Sequence, residues 1–207
     1  MSNHGVLTLG IDLDGVVADY NAFFKPFVAQ ALGLDLADMP EQETWSFSEA
    51  GWGIRDQDHF GELHKEAVLE ARMFANMPMV EGASDVLWEL SDAGVWNRIV
   101  THRLCVNWGH QIAVADTIAW LDEPRPDGRP RIPYRDLCFI GEKPDVGVDM
   151  MVDDAPHNVE QMRLAIGADN VIVFDTPYNR EVPGLRARNW YELRDIVMAR
   201  VEALRAA

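Results

Sequence analysis

The chain has 207 residues, with 18 Lys and Arg against 34 Asp and Glu, a formal net charge of −16. That charge repels a nucleic-acid backbone and excludes a general DNA- or RNA-binding role. Hydrophobic residues make up 48%, ordinary for a soluble globular protein of one domain with room for a small insertion, and no apolar stretch approaches the ~18 residues that a membrane helix needs.

The first apolar run, Val6 to Ile11, is too short for a signal-peptide core and has no basic segment before it, so the expected location is cytoplasmic. It ends abruptly in acid, which suits a buried parallel strand followed by a loop. Residues 19–32 read as a helix closed by Gly33. The stretch from about Leu34 to Pro78 is rich in Trp, Phe, Met and acids, lacks strand signals, and reads as a helical insertion. A regular alternation follows: a helix over 83–93 stopped by Gly94, a strand Arg98–Thr101, a helix over 107–121 and a proline-rich loop from Pro124 to Pro133. Strands Leu137–Gly141 and Val148–Val152, a helix over 156–166 stopped by Gly167, a strand Val171–Phe174 and a last helix over 190–205 complete it. The pattern predicts an α/β fold, a Rossmann-like parallel sheet covered on both faces, with ligands bound beyond the carboxyl ends of the strands.

Cys105 and Cys138 form no CxxC and read as small buried apolar residues, Cys138 above all, rather than a zinc site or disulfide. His59 and His64 miss the i, i+4 spacing of a helical metal pair and read as surface histidines.

Several strand ends carry polar groups that the sheet should bring to one edge. The first delivers Asp12 and Asp14, the second Thr101 and the fourth Asp153 and Asp154, while Lys143 follows the third. Residues i and i+2 of a strand point the same way, and Gly15 permits a sharp turn just after them. Several carboxylates at one spot repel unless a hard cation such as Mg²⁺ joins them, taking the rest of its shell from water and a phosphate. Each residue alone has a plainer use: Asp and Gly in turns, Asp153-Asp154 as a helix cap, Thr101 as a β-branched strand residue, Lys143 as a solvated cation. Together and in this order they suffice for phosphoryl transfer. Asp12 attacks phosphorus, Asp14 protonates the leaving oxygen and then activates water, and Mg²⁺, Lys143 and Thr101 hold the equatorial oxygens.

These residues resemble the four motifs of the haloacid dehalogenase superfamily: Asp12-Leu13-Asp14-Gly15-Val16-Val17, Ile99-Val100-Thr101, Lys143, and Val152-Asp153-Asp154. The resemblance implies a catalytic core over 1–20 and 79–207 and a helical C1 cap with its connecting helix over 21–78. It implies Asp12 as nucleophile and Asp14 as acid/base. It gives Mg²⁺ the side chains of Asp12 and Asp153 and the carbonyl of Asp14 as ligands, with Asp154 behind them. Within the superfamily the sequence is most similar to the 5′(3′)-deoxyribonucleotidase group, through Asp14 to Tyr20, the return Pro78 to Ala83, and Phe74. That resemblance puts Tyr20 and Phe74 at a nucleobase pocket; Trp45 and Phe47 in the helical insertion suit stacking on a base and equally the packing of the insertion's own core. His102 and Arg103 depart from the group's second motif and suit a second phosphate or a carboxylate.

The expectation is therefore a Mg²⁺-dependent phosphomonoesterase acting on (deoxy)nucleoside monophosphates, with no nucleic-acid polymer and no membrane as partner, and with a homodimer admitted as its assembly. Two alternatives stand beside it. One is a phosphatase for another small phosphorylated metabolite, such as a sugar phosphate; the other is a catalytically silent binding protein on the same fold.

Overall fold

The computed structural model describes residues 7–104 and 106–206. The chain runs β1 (Leu7–Ile11), α1 (Tyr20–Leu32), α2 (Gln57–Leu69), α3 (Met73–Asn76), α4 (Ala83–Asp92), β2 (Val95–Thr101), α5 (His110–Asp122) and β3 (Asp136–Phe139). It continues with β4 (Met150–Asp153), α6 (Pro156–Ile166), β5 (Val171–Phe174), β6 (Arg186–Ala187) and α7 (Trp190–Ala206). The six strands form one parallel sheet in the order β3-β2-β1-β4-β5-β6. β1 is flanked on both sides, which is why its whole run Leu-Thr-Leu-Gly-Ile is buried.

Side chains of adjacent strand residues divide between the two faces of this sheet. Val152 and Ile172 join a large core with Leu87, Leu90, Trp190 and Leu193 from α4 and α7. Met151, Val171 and Val173 join a smaller core with Val159 and Met162 from α6. The alternation is the pleat of a strand apolar on both faces. β2 continues to one side of β1, whereas β4 returns to the other. The strand order therefore reverses beside β1, and a crevice opens at the carboxyl ends of β1 and β4.

Residues 20–77 contain no strand. The chain enters and leaves this helical stretch side by side: Val80 N donates to Val17 O at 2.9 Å and Asp19 N to Pro78 O at 2.8 Å. Asp19 caps α1 by accepting from Ala22 N, and Gly33 ends it at φ 66°.

Several boundaries differ from the sequence expectation. β2 begins at Val95, because Asn97, polar in sequence, is buried and donates to Leu87 O and Pro133 O. α5 begins at His110, after Gly109 in a left-handed conformation, rather than at 107. The two-residue β6 is too short to leave a sequence pattern. Cys138 is half-buried, not buried, because β3 is the sheet's edge strand. Val6 and Cys105 lie outside the described residues.

Candidate active site

The register of the sheet assembles the carboxylates. Ile11 pairs with Val152, so Asp12 and Asp153 leave neighbouring strands at the same level. Asp12, Asp153 and Asp154 are all buried, and each places a carboxylate oxygen within 4.8 Å of the others. Lys143, in the short helical turn Lys143–Asp145, donates to Asp12 Oδ1 at 2.6 Å and to Asp153 Oδ2 at 2.7 Å. Its side chain is 1% exposed. The sequence alone allowed a solvated lysine; this one is the cation at the centre of the acidic cluster.

Asp153 Oδ1 accepts from Ala155 N at 3.0 Å and from Asn158 Nδ2 at 3.2 Å, so this residue also orders the start of α6. Asp154 accepts from the Tyr178 hydroxyl. Gly15 lies at φ +86°, and a side chain there would run into the Asp154 carboxylate. The turn after Asp14 thus needs glycine for both its backbone angle and the space it leaves.

One ammonium does not neutralise three carboxylates. Burial raises the pKa of Asp12 to about 7, with Asp153 and Asp14 adding to the shift and Lys143 opposing it. Burial also raises that of Asp154, with Asp12 and Asp153 reinforcing it. Burial pushes the Lys143 pKa down, but Asp12 and Asp153 outweigh it and hold the ammonium charged. The cluster is short of positive charge and made of hard oxygen donors. That donor set fits Mg²⁺, with carboxylate oxygens of Asp12, Asp153 and Asp154 within 4.8 Å of one another.

The other residues singled out in the sequence fall around this cluster. Asp14 is partly exposed and is held by Arg103, which donates from Nη2 at 2.6 Å and from Nε at 3.2 Å to each carboxylate oxygen. Arg103 Nη1 donates to Thr117 Oγ1 at 3.0 Å, and the guanidinium lies 4.3 Å from the Phe74 ring centroid. Every nitrogen of this guanidinium therefore has a protein partner. Thr101 is buried at the end of β2, where its hydroxyl accepts from Arg103 N at 3.4 Å. His102 lines the cavity, and its Nε2 has no hydrogen-bond partner among the described residues.

Above the carboxylates lies a cavity of about 800 Å³, lined by Asp12, Asp14, Lys143 and Asp154 at one end and by Tyr20, Phe47, Phe60 and Phe74 from the helical stretch at the other. Phe47 and Phe60 stack at 4.9 Å, 5° from parallel. Trp45 reaches from the same stretch to the sheet side, meeting His157 at 5.3 Å and Tyr178 at 5.4 Å.

His64 corrects the sequence reading. It is not a surface histidine; it stacks on Phe60 at 5.6 Å and lines the cavity. Burial lowers its pKa, with Asp14 opposing and Arg103 assisting the shift, so the ring is held neutral. Its place among Phe60, Leu63 and Ala67 on the inner face of α2 was the available signal. Asn21, Gln42, Asn158 and Tyr178 were also not anticipated, and no motif marked them.

Two solved structures show the fold. The chain superposes on a haloacid dehalogenase superfamily hydrolase (subfamily IA, variant 1) from Geobacter sulfurreducens PCA with a TM-score of 0.55 at 15% identity, covering 95% of this chain and 99% of the other. It superposes on a family hydrolase from Deinococcus radiodurans R1, solved with bound phosphate and sodium, with a TM-score of 0.56 at 15% identity, covering 94% and 96%. These likenesses define the haloacid dehalogenase fold. Sequence comparison is narrower: residues 6–203 match the family described as "5′ nucleotidase, deoxy (Pyrimidine), cytosolic type C protein". The chain is also 37% identical over 199 residues to a Chlorobaculum tepidum protein named "Putative 5′(3′)-deoxyribonucleotidase", covering 96% of this chain and 93% of that one. It is 28% identical over 187 residues to the 5′(3′)-deoxyribonucleotidase of Bacillus subtilis (strain 168), covering 89% and 95%. The chain belongs to this deoxyribonucleotidase family of haloacid dehalogenase-type phosphatases. Among the described residues no helix is long and apolar enough to cross a membrane.

Proposed function

We propose that this chain is a Mg²⁺-dependent phosphatase that removes phosphate from (deoxy)nucleoside monophosphates through a phosphorylated Asp12. The observation that carries the reading is the joining, in one cavity, of a buried Asp12–Lys143 pair with a wall of aromatic rings. The first suits phosphoryl transfer and the second a flat base. The helical stretch over 21–78 acts as the cap, and the core comprises 1–20 and 79–207.

Lys143 holds Asp12 Oδ1, which leaves Oδ2 to attack phosphorus. As the Oδ2–P bond forms, the ester P–O bond breaks and its electrons pass to the leaving oxygen. Asp14 gives that oxygen a proton, then takes one from the water that attacks phosphorus in the second step, releasing phosphate and the Asp12 carboxylate. Lys143 and the Thr101 end of β2 stand where negative charge on the transferring group has to be met. Mg²⁺, when bound by Asp12, Asp153 and the Asp14 carbonyl with Asp154 behind them, would supply the positive charge that this acidic cluster lacks.

A panel of nucleoside 5′- and 3′-monophosphates, in deoxy and ribo forms, beside sugar phosphates, each with Mg²⁺ or with EDTA, tests the proposal. Nucleotide hydrolysis that needs Mg²⁺, and that falls by at least about 10³-fold in Asp12→Asn, is the expected result. Turnover confined to sugar phosphates, or full activity of Asp12→Asn, would overturn it.

A further inference from the structure

A relay of two amides crosses the cap side of the cavity and ends in an unused acceptor. Gln42 is buried, and its Nε2 donates to Trp45 O at 3.3 Å. A backbone carbonyl only accepts, so Gln42 has to turn its amide nitrogen to Trp45 and its Oε1 away. Asn21 Nδ2 then donates to Gln42 Oε1 at 2.9 Å. Flipping Gln42 would set two oxygens against each other at Trp45; flipping Asn21 would do the same at Gln42. The backbone thus fixes the polarity of the relay, and Asn21 presents Oδ1 as an acceptor. That oxygen is buried without a partner among the described residues, and Asn21 lines the cavity.

The preceding residue offers the opposite polarity. Tyr20 lines the same cavity, and its hydroxyl is also buried without a partner among the described residues. Burial, with Asp14 adding to it, raises the Tyr20 pKa well above its ordinary value, so the phenol keeps its proton for donation. A donor and a fixed acceptor thus lie on adjacent residues of the cavity wall, with the Tyr20 ring 5.6 Å from that of Phe47. Buried polar atoms ordinarily have partners, and an exception at a cavity wall marks where a ligand group supplies one.

We infer that Asn21 determines specificity by accepting, at Oδ1, an N–H from the edge of the substrate's base, beside a base acceptor that faces the Tyr20 hydroxyl. The inference rests on the nucleotidase reading and sharpens it: the ligand is a nucleobase whose N–H edge is unblocked, not merely an aromatic phosphoester. A flat hydrocarbon ring can occupy the aromatic wall, but it leaves both Asn21 and Tyr20 unsatisfied.

The test compares kcat/KM for thymidine monophosphate and its N3-methyl analogue, and for deoxycytidine monophosphate and its N4,N4-dimethyl analogue. It uses the wild-type chain, Asn21→Leu and Asn21→Asp, with p-nitrophenyl phosphate as the reference without a base. In the wild type, methylation is expected to lower kcat/KM for the preferred base on the order of 10- to 100-fold, the cost of a buried hydrogen bond left unmade. In Asn21→Leu that penalty disappears, because the acceptor is already gone, and the ratio of nucleotide to p-nitrophenyl phosphate turnover falls. Asn21→Asp keeps an acceptor and the penalty but sets its second oxygen against Gln42 Oε1, so its nucleotide turnover starts lower; hydrolysis of p-nitrophenyl phosphate by Asn21→Leu shows that the leucine variant is folded. Indifference of the wild type to methylation, or an undiminished penalty in Asn21→Leu, overturns the inference while nucleotide turnover still stands. Hydrolysis of p-nitrophenyl phosphate without any nucleotide turnover overturns the nucleotidase reading itself.

Discussion

Arg103 grips the Asp14 carboxylate by both of its oxygens, with Nη2 at 2.6 Å and Nε at 3.2 Å. The guanidinium is fully buried against Phe74, whereas Asp14 remains partly open to the cavity. The pair joins the end of β2 to the turn after β1 and fixes the direction of the carboxylate that would serve the leaving group. Asp14→Asn keeps the side chain's size but loses the transferable proton and one of the two oxygens that Arg103 holds. It should depress hydrolysis of alkyl phosphates, whose leaving oxygen needs a proton, by at least about 10²-fold, and that of p-nitrophenyl phosphate far less. Equal losses on the two substrates in steady-state assays would count against Asp14 as the proton donor.

Lys143 stands between two buried carboxylates, and removing one partner of a buried charge cluster leaves the others uncompensated. Lys143→Met should cost about 3 kcal/mol of stability in EDTA. For a domain of this size that lowers the melting temperature by roughly 6–12 °C, and activity should fall with it. Mg²⁺ should recover part of the melting temperature, since it brings positive charge to the same carboxylates. A melting temperature within about 2 °C of wild type in EDTA, a shift worth under ~1 kcal/mol, would refute a central ionic role for this lysine.

The order of strands and helices was legible because each buried strand is a short apolar run and some helices end at a glycine, as α1 does at Gly33 and α6 at Gly167. The chemical end of the cavity was legible for a related reason: its residues are fixed at strand ends, at set offsets from those runs. The base end was not. Gln42 and Asn21 are polar residues in a loop and a first helical turn, and only the fold shows that they are bonded to each other and that Gln42 is buried. His64 was misread because two of its neighbours in space, Tyr20 and Trp108, come from other segments of the chain. Arg103 was assigned to a second phosphate or a carboxylate of the substrate because sequence cannot show that Asp14 and Thr117 occupy it.

Gly15 and Gly33 both have positive φ but should respond differently to alanine. A side chain at Gly33 meets open space, so Gly33→Ala should cost only the backbone term, about 1 kcal/mol, with activity retained. A side chain at Gly15 meets the Asp154 carboxylate and the Tyr178 hydroxyl, so Gly15→Ala should cost about 2–3 kcal/mol and weaken Mg²⁺ binding by moving Asp154. Thermal melts and Mg²⁺ titrations of the two variants make the comparison. Indistinguishable behaviour would show that Asp154 yields without consequence.

The raised pKa of Asp12 also ties metal binding to pH. Its carboxyl titrates near about 7 in the folded, metal-free protein because burial, Asp153 and Asp14 disfavour the charge. The unfolded chain titrates near ~4, so between these values the folded state holds more protons than the unfolded one. The stability this group contributes is complete below pH ~4 and is lost as pH rises through about 7. Mg²⁺ requires the ionised carboxylate and has to displace that proton below pH about 7. The apparent Kd for Mg²⁺, measured by calorimetry, should therefore rise about tenfold for each pH unit below neutrality. Asp154, whose carboxyl is raised in the same direction by burial and by Asp12, would steepen this dependence. A Kd that stays constant between roughly pH 5.5 and 7 would show that Asp12 is already ionised there, with the Lys143 charge outweighing burial.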